Sequence, residues 1–119
     1  MKILNPNLFL KYLNKYFPFI SLMSFSILSF GFFWALFISP NDYQQGVMVK
    51  IMYLHVPSAW LSLGIYGLMT MMSIIYLVTK TPLAAIIAKA ATPIGLLFTL
   101  VVLISGIFWG RPMWGVWWV

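Results

Sequence analysis

Three long intervals of this chain carry no Asp, Glu, Lys or Arg. They lie between Lys15 and Asp42, between Lys50 and Lys80, and between Lys89 and Arg111. Each is rich in Leu, Ile, Met, Phe and Ala, and each reaches the ~20 residues that an α-helix needs to cross a bilayer. A chain of 119 residues that is 63% hydrophobic and 7% charged has too few polar side chains to cover a folded surface in water, where about 25% charge is usual. An 18% aromatic content excludes disorder, because disordered segments are poor in rings. A membrane β-barrel needs many short strands of alternating polarity, and these runs do not alternate. The sequence therefore reads as an all-α integral membrane protein, with three transmembrane helices in a single membrane domain over residues 1–119.

Local signals place the helices. The first span reads as roughly Phe19 to Ile38, stopped by the turn cluster Ser39-Pro40-Asn41-Asp42. The second reads as roughly Ser58 to Val78, ending at Thr79-Lys80-Thr81-Pro82. The third reads as roughly Pro93 to Trp109, closed by Gly110-Arg111-Pro112. Pro93 suits a first helical turn, where its missing N–H costs nothing, and Pro57 precedes the second span in the same way. Leu83–Ala91, with Lys89, reads as a short interfacial helix. The apolar run at the N-terminus starts too late and is too long for a cleaved signal peptide.

Lys2, Lys11, Lys15, Lys80 and Lys89 fall on one side of these spans, Lys50 and Arg111 on the other. The positive-inside rule then puts the N-terminus in the cytoplasm and segments 40–57 and 110–119 outside. The expected location is a bacterial inner membrane, crossed several times. Seven scattered cations form no basic patch for nucleic acid, so membrane lipid headgroups are the expected anionic neighbours.

The composition removes much chemistry. With no Cys, one His and one carboxylate, disulfides, thiol catalysis, triads and paired carboxylates drop out. No Gly-rich phosphate loop is present. The chain therefore does not read as an enzyme. Met69, Met71 and Met72 read as packing residues, and Gly64, Gly67, Gly95 and Gly106 as points of close helix contact.

Two features remain. His55 lies in Tyr53-Leu54-His55-Val56-Pro57-Ser58-Ala59-Trp60, where the external segment meets the second span. A neutral imidazole there can ligate a metal, or simply bond to a carbonyl or water. The C-terminal stretch reads Trp109-Gly110-Arg111-Pro112-Met113-Trp114-Gly115-Val116-Trp117-Trp118-Val119. An interfacial aromatic belt accounts for one or two Trp at a span end, not for four interleaved with Gly, Pro and Arg. Gly110, Pro112 and Gly115 argue against a long regular helix here, so an irregular, ring-lined strip is expected. Indole faces suit a flat apolar ligand, and Arg111 can grip a carboxylate in bidentate fashion. A planar ligand with acidic edges and a metal centre uses the Trp faces, Arg111 and His55 together, and haem meets that description.

The Trp-rich strip resembles the periplasmic motif of haem-handling membrane proteins, in particular the haem exporter protein C family of the cytochrome c maturation system. Lys89-Ala90-Ala91-Thr92-Pro93-Ile94-Gly95 and the segment around His55 resemble that family at matching places, and the likeness spans about residues 10–119. The resemblance implies a six-helix protein that presents haem b, as cargo, at the periplasmic face for c-type cytochrome biogenesis. By carry-over, His55 matches the first of two external axial His ligands to haem iron. Trp109, Gly110, Trp114, Gly115, Trp117 and Trp118 match the Trp-rich motif, and Arg111 joins them on charge. The implied partners are haem, a periplasmic haem chaperone, ATP-binding-cassette transporter subunits, a small one-span helper protein and, finally, apocytochromes c. The family motif runs on past Val119 into Trp-Asp, so the sequence reads as the N-terminal part of the six-span pattern, either a fragment or one piece of a split protein. The competing expectations are a structural or interaction subunit of a membrane complex and a truncated product without function.

Overall fold

The computed structural model describes residues 6–117, and these are helical apart from short connections. The chain divides between Ser39 and Pro40 into two units. In the first, helix α1 (Pro6–Phe33) runs through Pro18 and opens into a π-helical turn over Trp34–Ile38. There the ladder widens by one residue, and the Ser39 N–H donates to the Trp34 carbonyl at 2.9 Å. Ser39 then turns extended (ψ 138°), the conformation favoured before a proline, here Pro40.

The second unit holds α2 (Val49–Thr79) and α3 (Pro82–Trp114). Both exceed their expected limits. Residues 49–57, expected to lie before the second span in the external segment, form the first turns of α2, with Pro57 inside it. Leu83–Ala91 is the continuous start of α3 rather than a separate interfacial helix, and Pro82, not Pro93, occupies the first turn. Pro93 and Pro112 both lie within α3. A proline inside a helix removes one backbone bond and strains the preceding turn, at a cost of about 3 kcal/mol. Around Pro57, Met52, His55, Ser58 and Ala59 are all half-buried or buried against the partner helix.

The link between α2 and α3 is two residues long. Lys80 takes a left-handed conformation (φ 55°) and its N–H donates to the Tyr76 carbonyl at 2.8 Å, which closes α2. Thr81, extended, leads into Pro82. The helices fold back antiparallel along one seam. On α2 its stripe runs through His55, Ser58, Ser62, Ile65, Met69 and Met72; on α3 it runs through Ala84, Ala88, Ala91, Gly95, Phe98, Val102, Ser105 and Trp109. Both stripes alternate steps of three and four, the spacing that keeps one face of a helix against a partner. Small residues bring the backbones close: a Cβ at Gly95 would lie 3.1 Å from Ile65 Cγ2. Ser62 and Thr99 hydrogen-bond across the seam at 2.9 Å.

The turn before α2 is compact. Asp42 and Gly46 exchange backbone bonds of 3.2 and 2.9 Å, with Gly46 at φ 58°. Asp42 Oδ1 accepts the N–H groups of Gln44 and Gln45 at 2.9 and 2.8 Å. This isolated bridge is the one β feature among the described residues.

Candidate functional site

At the end of the hairpin away from the Lys80 turn, polar groups replace Ala and Met in the seam. His55 is half-buried on α2, and its Nδ1 lies 2.9 Å from Ser105 Oγ on α3. Ser105 is 6% exposed, and its oxygen also lies 2.5 Å from the Val101 carbonyl and 3.2 Å from that of Val102. The imidazole rests on Gly106, where an added Cβ would meet Cε1 at 3.3 Å. Trp109 follows Ser105 by about one helical turn, a rise of ~6 Å.

Trp109 is fixed on two sides. Its indole N–H donates to Gln45 Oε1 at 3.0 Å, and its ring meets Trp114 edge-on, with centroids 4.8 Å apart and planes at 84°. That edge-to-face arrangement suits the ring quadrupoles. Gln45 is held in turn by Asp42, whose carboxylate keeps the Gln45 backbone N–H in place. The backbone N–H groups of Gln45 and then Gln44 draw the Asp42 carboxyl below its ordinary value, because they bond the charged form.

The strip after Trp109 is less irregular than expected. Gly110, Arg111 and Pro112 all lie inside α3, which ends at Trp114. Gly110 is buried, and a Cβ there would make only ordinary contacts of 3.6 Å with Trp114 and the Val116 carbonyl. Gly115 is the residue that stops the helix. It adopts φ 76°, and its N–H donates to the Arg111 carbonyl at 3.0 Å, a left-handed cap that favours glycine. Arg111 Nη1 donates to the Gly115 carbonyl at 2.8 Å, and its guanidinium lies 5.1 Å from the centroid of the Trp117 ring. The guanidinium therefore lies over the Trp117 ring, and Arg111 is exposed. Trp114 and Trp117 are 60% and 51% exposed. Trp118, also expected at the site, lies outside the described residues.

The structure thus joins His55, by way of Ser105 and Gly106, to the helix that carries Trp109, Arg111 and Trp114. Gly106 is among the glycines expected at close helix contacts, whereas Ser105 and Gln45 are not marked by residue type. Ser105 shares the seam spacing with Trp109, a signal present in the sequence once the α3 stripe is drawn. Gln45 has no such signal, because its contact with Trp109 spans 64 residues.

The profile of "CcmC: Heme exporter protein C" matches residues 1–119. The chain belongs to the haem exporter protein C family. Proteins named Heme exporter protein C from Bradyrhizobium diazoefficiens, Paracoccus denitrificans and Escherichia coli K12 are 45%, 47% and 43% identical to it. The matches cover 96%, 74% and 86% of this chain and 43%, 36% and 42% of those relatives. The chain thus spans less than half their length. With three helices long and apolar enough to cross a membrane, this haem exporter C family member is a multi-pass inner-membrane protein.

Proposed function

We propose that this chain binds and delivers haem b at the periplasmic face, within a larger haem exporter that serves c-type cytochrome maturation. The observation that carries this reading is the placement of the lone imidazole against the helix turn that leads into the Trp-rich strip. Haem supplies a planar, apolar, iron-containing cargo with two acidic edges. His55 offers one ring nitrogen to the iron. The exposed faces of Trp114 and Trp117 offer flat apolar area for the ring, and Arg111 offers donors for a propionate. Trp109, tied to Gln45, is a fixed wall of the same strip. Gly110 and Gly115 shape the backbone beneath the rings, and Trp118 is assigned to the same motif by sequence alone.

The N-terminus lies in the cytoplasm in this reading, and the Gln45 turn shares the periplasmic side with the Trp-rich strip. The second axial ligand then comes from another polypeptide segment, because His55 is the one histidine of this sequence. The partners are a periplasmic haem chaperone, ATP-binding-cassette subunits and a one-span helper protein. The role is transport rather than catalysis.

Haem titration of the chain in detergent, with and without His55→Ala, tests the reading. A fall in affinity of about tenfold or more, about 1.4 kcal/mol, together with a shifted Soret band, is expected. Unchanged affinity and spectrum remove His55 from the ligand set.

A further inference from the structure

The contacts around Ser105 determine where the proton of His55 sits. A hydroxyl has one proton and can accept at its lone pairs. Ser105 Oγ has three polar neighbours: the Val101 carbonyl at 2.5 Å, the Val102 carbonyl at 3.2 Å and His55 Nδ1 at 2.9 Å. A carbonyl oxygen cannot donate. Two oxygens 2.5 Å apart with no proton between them repel, whereas with one they form a short hydrogen bond. The Ser105 proton therefore points back along α3 to Val101. Its lone pair is what remains for the imidazole, so Nδ1 must carry the hydrogen. Among the described residues this is the ring's one hydrogen bond, and Gly106 supports the same ring edge at Cε1.

We propose that Ser105 is a positioning residue for His55: it accepts the Nδ1–H, holds the neutral imidazole in the Nδ1–H tautomer, and leaves the Nε2 lone pair as the ring's open ligand position. The role toward iron rests on the haem-binding reading above; the tautomer does not. Ligating histidines commonly donate their second ring N–H to a fixed acceptor, which sets the tautomer and the ring's aim. Free histidine side chains in water favour the other tautomer, with hydrogen on Nε2. The fold thus opposes the intrinsic preference of the ring, and it does so with a side chain buried in the helix seam.

The single histidine makes the test direct. The full chain is labelled with ¹⁵N-histidine, placed in detergent micelles without haem, and observed by NMR at a pH where the ring is neutral. The expected result is a pyridine-type signal from Nε2 and a pyrrole-type signal from Nδ1. A pyridine-type Nδ1 in the unmutated chain overturns the proposal, whatever any variant does. Ser105→Ala should move the pyridine character toward Nδ1, and Ser105→Thr, which keeps the hydroxyl, should preserve it. An unchanged tautomer in a helical Ser105→Ala chain also overturns the proposal. Haem titration then reads the consequence: Ser105→Ala should weaken binding by about tenfold, the scale expected for the partner of a ligating histidine, and Ser105→Thr should restore it. Failure of the haem reading shows in His55→Ala alone, and failure of the tautomer shows in the haem-free spectrum.

Discussion

The two ends of the α2–α3 hairpin share one seam and use it differently. Toward the Lys80 turn the stripe is Met69 and Met72 on α2 facing Ala84, Ala88 and Ala91 on α3, apolar and small. Toward the Trp-rich end it becomes Ser62 with Thr99, His55 with Ser105, and Trp109 with Gln45 from the preceding turn. The spacing of three and four is the same throughout. The apolar end contributes close packing, which depends on shape and tolerates exchange among residues of similar size. The polar end contributes placement, because each group needs a specific partner and a buried unpaired one is costly. Among the described residues no buried side-chain nitrogen or oxygen lacks a partner. Periodic packing sets the register, and that register then delivers individual polar atoms to defined points.

Substitutions can break this contrast. The largest expected effect is at Gly95, on the turn side of the Ser62–Thr99 bond. Gly95→Leu must displace Ile65 and Tyr66 and should cost about 3 kcal/mol by overpacking, read as a lower midpoint in unfolding from micelles. Equal stability in the variant would mean that the seam is not closely packed. An intermediate effect is expected at the polar end. Gln45→Ala should cost about 1 kcal/mol or less, the scale of one neutral hydrogen bond. It should also move the Trp109 indole N–H resonance while the melting profile of the hairpin changes little. A large loss of stability with an unmoved indole signal would reverse the roles assigned to the two ends.

The smallest effect is expected from pH. Backbone N–H groups of Gln45 and Gln44 hold the Asp42 carboxyl below its ordinary value. The ordering it provides is therefore present above the ordinary carboxylate range and is lost as the pH falls through the lowered value. Acidification should loosen the Gln45 turn and shift the Trp109 indole signal in the direction seen for Gln45→Ala. Asp42→Ala should already show that shift at neutral pH.

Much of this architecture is legible in local stretches. The charge-free intervals mark the three helices, and Ser39-Pro40 and Lys80-Thr81-Pro82 mark two of their limits, because backbone preferences at turns depend on the residues there. His55 and the Trp-rich strip stand out by residue type alone. The internal prolines misled for a physical reason. Pro57, Pro93 and Pro112 are helix breakers as isolated signals, yet long helices that pack along their length keep them. Gly110 and Gly115 also differ in a way their shared identity hides. One is buried within α3 and the other takes the left-handed angle that ends it.

By itself, then, the sequence determined an all-helical membrane chain with three apolar helices and a histidine and a tryptophan cluster suited to a flat metal-bearing ligand. Only the tertiary structure decided which atoms hold that histidine and that cluster. The His55–Ser105 and Gln45–Trp109 contacts join residues 50 and 64 positions apart. Local preference carries no information about such pairs. The His55–Ser105 pair exists because a two-residue turn and a stripe of small residues bring two helices together in one register, and the Gln45–Trp109 pair adds the Asp42–Gly46 turn ahead of α2.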